Sequence, residues 1–219
     1  FTVISLTIGL GIGTSAVIAK SLGKGEQEAA KNSGTVALIL TGIVVAALSY
    51  VGFLLIDETF LMLGATEELL PLIHDYMDIW FLCAVCLIGP MIGNAILRAS
   101  GDTKTPSMIM GSAGLINAVL DPILIFGVGP VPALGIKGAA IATTISWLFG
   151  LFLVLYIIGI KRKLIHTTIG AITNFVQSSR EILKIGLPAA GANMLTPIAA
   201  AVMTAIVALY GEAAVAAFG

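Results

Sequence analysis

The length of its apolar runs constrains this chain more than any other feature. A helix needs roughly 20 apolar residues to cross the hydrocarbon core of a bilayer. Six segments qualify, at about 1–20, 34–56, 71–97, 106–129, 135–160 and 182–210. They predict an all-α polytopic membrane protein with six transmembrane helices. Composition agrees where it bears on the surface. Charged residues make up 11% of the chain and the mean hydropathy is +1.07, whereas a water-facing domain carries about 25% charged residues. The net charge of −1 supplies no basic stripe and argues against nucleic acid as a partner.

Short polar stretches punctuate the runs: GKGEQEAAKNSG after the first, DETFLMLGATEELLP after the second, RASGDTKTP after the third and GVGPVPALG after the fourth. The longest connection, KRKLIHTTIGAITNFVQSSREILK, alternates polar and apolar residues and predicts an interfacial amphipathic helix. Pro71, Pro106 and Pro188 fall near the starts of spans, where a missing N–H costs nothing. Pro90, Pro122 and Pro197 fall within spans, which membrane bundles tolerate. The chain opens at Phe1 inside one apolar segment and closes at Gly219 just after another, so it is expected to be a piece of a longer protein.

Basic residues set the orientation. If the first span runs inward, Lys20, Lys24, Lys31, Arg98, Lys104, Lys161, Arg162, Lys163, Arg180 and Lys184 share the inner side, and only Lys137 lies outside. One span missed or invented would scatter these charges. Loops 21–33, 99–105 and 161–181 are therefore expected in the cytoplasm, and the acidic connection with Asp57, Glu58, Glu67 and Glu68 outside.

An ionisable group inside a span is costly enough to suggest function. Asp121, in GLINAVLDPILIFG, has no lysine or arginine in its own helix. Asn117 lies four residues earlier on the same helix face, and Pro122 loosens the backbone bonds of the preceding turn. Carboxylate, carboxamide and freed carbonyls offer oxygen ligands to a hard cation such as Na⁺. The same carboxylate equally suits a proton carrier. The alternative is a protonated, hydrogen-bonded packing residue. Thr143 and Thr144 on the fifth span are candidates too, although such hydroxyls often bond back to their own helix. Asn94 either lines a cavity or bonds across helices. Arg98, Asp102 and Lys104 read as a short inner turn with a topological role, and Asp75 and Asp78 as groups reaching interfacial water.

Cys83 and Cys86 form a CxxC without a second pair, and His74 and His166 lie on separate segments, so a metal or redox role has no partner ligands. No phosphate-binding loop, HExxH or serine elbow is present. An enzyme is not expected, and no cofactor is called for.

Several pieces, in order, resemble a known family. GIGTSAVIAKSLGKGEQEAA is similar to the end of the second helix of multidrug and toxin extrusion (MATE) transporters and the loop after it. NAILRASGDTKTP resembles the turn between helices four and five. NAVLDPILIFG with PALGIKGAAIATTIS resembles the signature of helices five and six, and ILKIGLPAAGANMLTPIAAAVMTAIVALYGEAAVAAFG the opening helix of the second lobe. The resemblance implies a plasma (inner) membrane protein with two lobes and twelve helices, of which this fragment holds helices two to seven. Residues 1–160 would belong to the amino-terminal lobe, 161–181 to the linker between lobes and 182–219 to the second lobe. It implies secondary active efflux of small amphiphilic or cationic drugs by antiport of Na⁺ or H⁺ with alternating access. Asp121, Asn117 and Thr143 match its coupling-cation residues, and Asn94 a cavity-lining asparagine. The partner aspartate on helix one is not in this chain. Met203 stands where repeat symmetry would suggest aspartate, which points to the branch resembling DNA-damage-inducible members. The rivals are a flippase of a lipid-linked precursor, expected to line its cavity with basic residues that no span interior here carries, and a channel.

Overall fold

The computed structural model describes residues 2–128, 132–166 and 172–208, and among them every regular element is helical. In chain order the helices are α1 (Thr2–Gly23), α2 (Gln27–Leu54), α3 (Ile56–Met62), α4 (Leu70–Ala99), α5 (Lys104–Phe126), α6 (Ile136–Tyr156) and α7 (Phe175–Ala208). All but the short α3 are long and apolar enough to cross a membrane. The six expected spans are these six helices, and a three-residue 3-10 turn at Glu67–Leu69 leads into α4.

The polar punctuation ends the helices by one recurring device. At the end of α4, Gly101 takes φ 87°, its N–H donates to the Arg98 carbonyl, and the Asp102 N–H donates to the Leu97 carbonyl. This pair of bonds satisfies carbonyls that a helix end leaves orphaned, and the left-handed residue at its centre favours glycine. The same pattern closes α1 around Gly25 and α3 around Gly64. Asp102 then starts α5, accepting from the Thr105 N–H at 3.0 Å and the Thr105 hydroxyl at 2.7 Å. Those bonds, with the Arg162 guanidinium at 2.7 Å, hold its carboxyl below the usual carboxylate range.

α1 occupies the centre, touching α2, α4 and α7, while α6 packs on α4 and α5. Leu10, Ile18, Ile92, Ile96, Val154 and Ile158 form the buried core between them. In lipid, apolar side chains gain little by moving from acyl chains to one another, so close packing of small residues carries helix association. The α1–α7 contact is of that kind. A Cβ on Gly9 would lie 2.5 Å from the Ala190 backbone nitrogen, and one on Gly13 would overlap the Ile182 carbonyl oxygen. Gly9 and Gly13, four residues apart, thus meet Gly186 and Ala190, also four apart.

Charged groups pair at the two ends of the bundle. Asp102 and Arg162 join the α4–α5 turn to the end of α6. At the opposite end Lys137 pairs with Asp75 at 2.9 Å, and His74 lies 2.7 Å from Asp57 and 3.0 Å from Asp78. Asp75 and Asp78 therefore face protein partners as well as the interface.

Three expectations need correction. The long connection shows no separate amphipathic helix among its described residues. Residues 162–166 and 172–174 are irregular, and helix resumes at Phe175 as part of α7 rather than at 182. The described chain there is held by α2. The Asn32 amide donates to the Thr173 carbonyl at 2.7 Å and to Ser178 at 3.0 Å, and Asn32 Oδ1 accepts from the Thr173 N–H at 2.9 Å. Further along, the His166 N–H donates to Thr35 at 2.8 Å. In consequence Pro188 lies well inside α7 rather than near its start. Thirdly, Arg98 belongs to the last turn of α4, not to the turn beyond it.

Candidate functional site

α5 and α6 lie against each other because the end of one is stitched to the start of the other. The carbonyls of Leu124 and Ile125, left open at the end of α5, accept from the N–H groups of Leu134 and Gly135 at 2.9 and 3.1 Å. Gly138 then sits so close that a Cβ there would overlap the Leu124 carbonyl. This approach brings the middle of α5 beside the first turns of α6.

Three of the residues singled out in the sequence meet there. The Asn117 amide donates to Asp121 Oδ1 at 3.3 Å along α5 and to Thr143 Oγ1 at 3.5 Å across to α6. Both bonds are long for their type. An ionised carboxylate has about four lone-pair directions, and that of Asp121 receives one weak bond from the described protein groups. Pro122 brings no N–H, so the Ala118 carbonyl one turn earlier lacks its helical donor. The Asp121 carboxyl, the Asn117 amide and the Thr143 hydroxyl form a half-buried polar patch between two helices. Thr144 points elsewhere and donates to the Ala140 carbonyl at 2.9 Å, the self-bonding expected of a helical threonine.

A small cavity of about 160 Å³ adjoins this patch, lined by Asn117 together with Pro90, Trp147 and Gly150. Within this chain the buried residues of α5 are Pro106 and Ile109, both in its first two turns.

Asn94 does not join the patch. It is 2% exposed on α4, with an oxygen that meets no donor, and it lines a separate groove of about 350 Å³ between α1, α4 and α5. Arg98 lines the same groove. Sequence reasoning placed Arg98 in the turn beyond the helix; it is a last-turn residue of α4 and is exposed to solvent. The signal that could have found it is the i, i+4 spacing of Asn94 and Arg98, which puts both on one helix face. His74 was also missed as a bonded group. Its spacing to Asp78 was readable, but its contact with Asp57 was not.

A family model described as MatE matches residues 1–123. A protein of Shewanella oneidensis named FAD transporter is 44% identical over 215 residues, which are 98% of this chain and 48% of that protein. A Bacillus subtilis protein named probable multidrug resistance protein YpnP is 31% identical over 223 residues, 100% of this chain and 48% of that protein. Among solved structures, an inward-facing multidrug resistance MATE family transporter of the MOP superfamily superimposes with a TM-score of 0.89 at 30% identity, covering 99% of this chain and 49% of that one. The Vibrio cholerae MATE transporter VcmN in its bent form gives 0.83 at 33% identity, covering 99% and 48%. The chain spans about half the length of the relatives it matches.

Proposed function

The chain belongs to the MATE family of multi-pass membrane transporters, and from that premise we propose that it forms part of a secondary active exporter driven by inward flow of Na⁺ or H⁺. The observation that carries this reading is the Asn117 amide held between Asp121 and Thr143 on two different helices. A cation or proton bound at Asp121 changes the partner of Asn117, and with it the contact between α5 and α6. Coupling requires the ion to bind one global state more tightly than the other.

In this scheme the amino-terminal lobe holds residues 1–160, the linker residues 161–181, and the second lobe begins with α7. The end bearing the Asp102–Arg162 pair faces the cytoplasm. Asn94 lines the path of the cargo, a small amphiphilic compound, and the remainder of the parent chain completes the transporter. The chain performs no chemistry on its cargo.

A second reading draws on Arg98 in the groove. Relatives bear names of differing cargo, FAD in one and multidrug resistance in another, and a flippase of a lipid-linked precursor would also place a basic group there. The test of the first reading is efflux by the full-length parent in vesicles, under Na⁺ and pH gradients imposed separately. Efflux driven by one gradient and reduced at least tenfold in Asp121→Asn is the expected result. Unchanged efflux in the variant would leave Asp121 a packing residue.

A further inference from the structure

The inner end of the bundle is basic in two different ways. At the ends of α1, α2 and α7 the charges are mixed: Lys20, Lys24, Glu26, Glu28, His166 and Glu181 line one polar pocket. Lys31 there pairs with Glu28. At the ends of α5 and α6 the charges are nearly all of one sign. The Asp102–Arg162 pair draws the α4–α5 turn to the end of α6. Lys104, two residues after Asp102, thereby joins Lys161, Arg162 and Lys163, and all four are exposed. Asp102 is the one carboxylate in these two segments, and Arg162 and Thr105 already engage it. Among the described residues Lys104, Lys161 and Lys163 form no ion pair.

The same place offers an apolar track. Phe152, Tyr156 and Ile160 are 68%, 48% and 62% exposed. Their four-residue spacing runs down one face of α6 and of the π-helical turn, Ile157–Lys161, that continues it. The apolar span ends at Lys161, so this face meets acyl chains along its length and headgroups at its foot. Lys161 Nζ lies 5.8 Å from the centre of the Tyr156 ring, within reach of a cation–π contact. A tyrosine at the end of a span sits at the depth where aromatic rings anchor between chains and water. Lys163 has φ 50°, a left-handed conformation that few residues other than glycine adopt. Strain kept at a charged position points to a use for that charge.

We propose that the inner end of α5 and α6 binds the headgroup of an anionic phospholipid of the adjoining leaflet. Lys161 and Lys163 hold its phosphate, Lys104 stands beside them, and Phe152, Tyr156 and Ile160 lie along an acyl chain. Charge selects this partner. Four basic side chains against one carboxylate leave three positive charges unbalanced. A zwitterionic headgroup brings its own ammonium and gains little from them, whereas a headgroup of net negative charge gains the full attraction. Basic clusters just inside a span attract acidic lipids in this way, each lysine by about fivefold in affinity. The proposal goes beyond the exporter reading, since it depends on the spans and their ends and not on cargo or coupling ion.

The test is lipid binding by the full-length parent in detergent, followed by native mass spectrometry and by titration with labelled lipid. The probes are phosphatidylglycerol and phosphatidylethanolamine, with inorganic phosphate as a soluble competitor. Wild type should bind phosphatidylglycerol on the order of tenfold more tightly than phosphatidylethanolamine. The double variant Lys161→Gln, Lys163→Gln should weaken phosphatidylglycerol on the order of tenfold or more and leave phosphatidylethanolamine within about threefold. The double variant Lys20→Gln, Lys24→Gln, in the mixed half, should leave both lipids within about threefold. Lys163→Gly separates binding from folding, because glycine adopts the left-handed conformation without strain. Its unfolding temperature without lipid should hold or rise, while its affinity for phosphatidylglycerol falls about fivefold. Equal affinity for the two lipids, equal losses in the two double variants, or unchanged affinity in Lys163→Gly would overturn the proposal. A lowered unfolding temperature in Lys163→Gly would mark that lysine as structural and overturn it as well. Displacement of phosphatidylglycerol by inorganic phosphate at comparable concentration would assign the patch to a soluble anion instead. Efflux enters none of these readouts, so the exporter reading stands or falls separately.

Discussion

Two helix pairs in this chain are closed by opposite means. α1 and α7 meet backbone to backbone through Gly9, Gly13, Gly186 and Ala190, with no room for a further methyl. α5 and α6 meet through a stitched loop at one end and, further along, through the long bonds of Asn117, beside a cavity of about 160 Å³. The first pair gains stability from contact and loses it to any added atom. The second leaves space and polar groups unsatisfied, and so can change partners at little cost. The proposed exporter uses both: a seam that holds α7 against α1, and a helix whose contacts a single ion can rearrange.

The comparison can be broken most directly at the glycines. Gly13→Ala should destabilise the full-length parent by about 1–3 kcal/mol, the usual range for overpacking, measured as thermal unfolding in detergent. Gly111→Ala on α5, where a Cβ meets nothing within 4 Å, should be neutral or stabilising by up to about 1 kcal/mol through helix propensity. If both substitutions behave alike, the contrast between the pairs is wrong.

Asn32→Ala probes a different kind of closure, since its amide holds the start of α7 to α2 by three bonds. A loss of about 1–3 kcal/mol is expected from the backbone groups left without partners, together with faster proteolysis between 162 and 174. Thr143→Val should act more gently. It removes one long hydrogen bond, worth about 0.5–1.5 kcal/mol at most, and should shift the cation concentration for half-maximal efflux a few-fold while leaving the unfolding temperature unchanged. A large loss of stability there would mean that α5 is held as firmly as α7.

The smallest effect is expected at Asp102. Its carboxyl is held below the ordinary range, first by the Thr105 N–H and hydroxyl and then by Arg162. A depressed carboxylate contributes stability that is present above the unfolded value and is lost as pH falls through the folded one. Its Arg162 partner is exposed to solvent, so the ion-pair part of that contribution is small. Wild type and Asp102→Asn should differ slightly in unfolding temperature at pH 7 and converge below the ordinary carboxylate range.

Much of the site was legible because it is local. Asn117 and Asp121 share a helix face by spacing alone, and an unpaired carboxylate in an apolar run marks itself. That Thr143 joins them came only from the resemblance, since 26 residues of separation carry no geometric signal. Arg98 was placed just outside its helix because a basic residue near a helix end reaches water, as this exposed one does, and only the placement of α1 and α5 makes a groove on that side of α4. The start of α7 was missed because the Asn32 contacts that hold it come from a residue 141 positions away.

What the sequence by itself determined is the set of membrane spans, their alternation in direction and the helix-ending glycine turns, because apolar length, charge placement and left-handed backbone are properties of neighbouring residues. The tertiary structure alone decided which glycines face which, that Asn117 reaches Thr143, and that Asn94 and Arg98 share a groove without protein partners. In a medium that rewards no apolar contact over another, helices choose their neighbours by shape, and shape fit belongs to two surfaces at once.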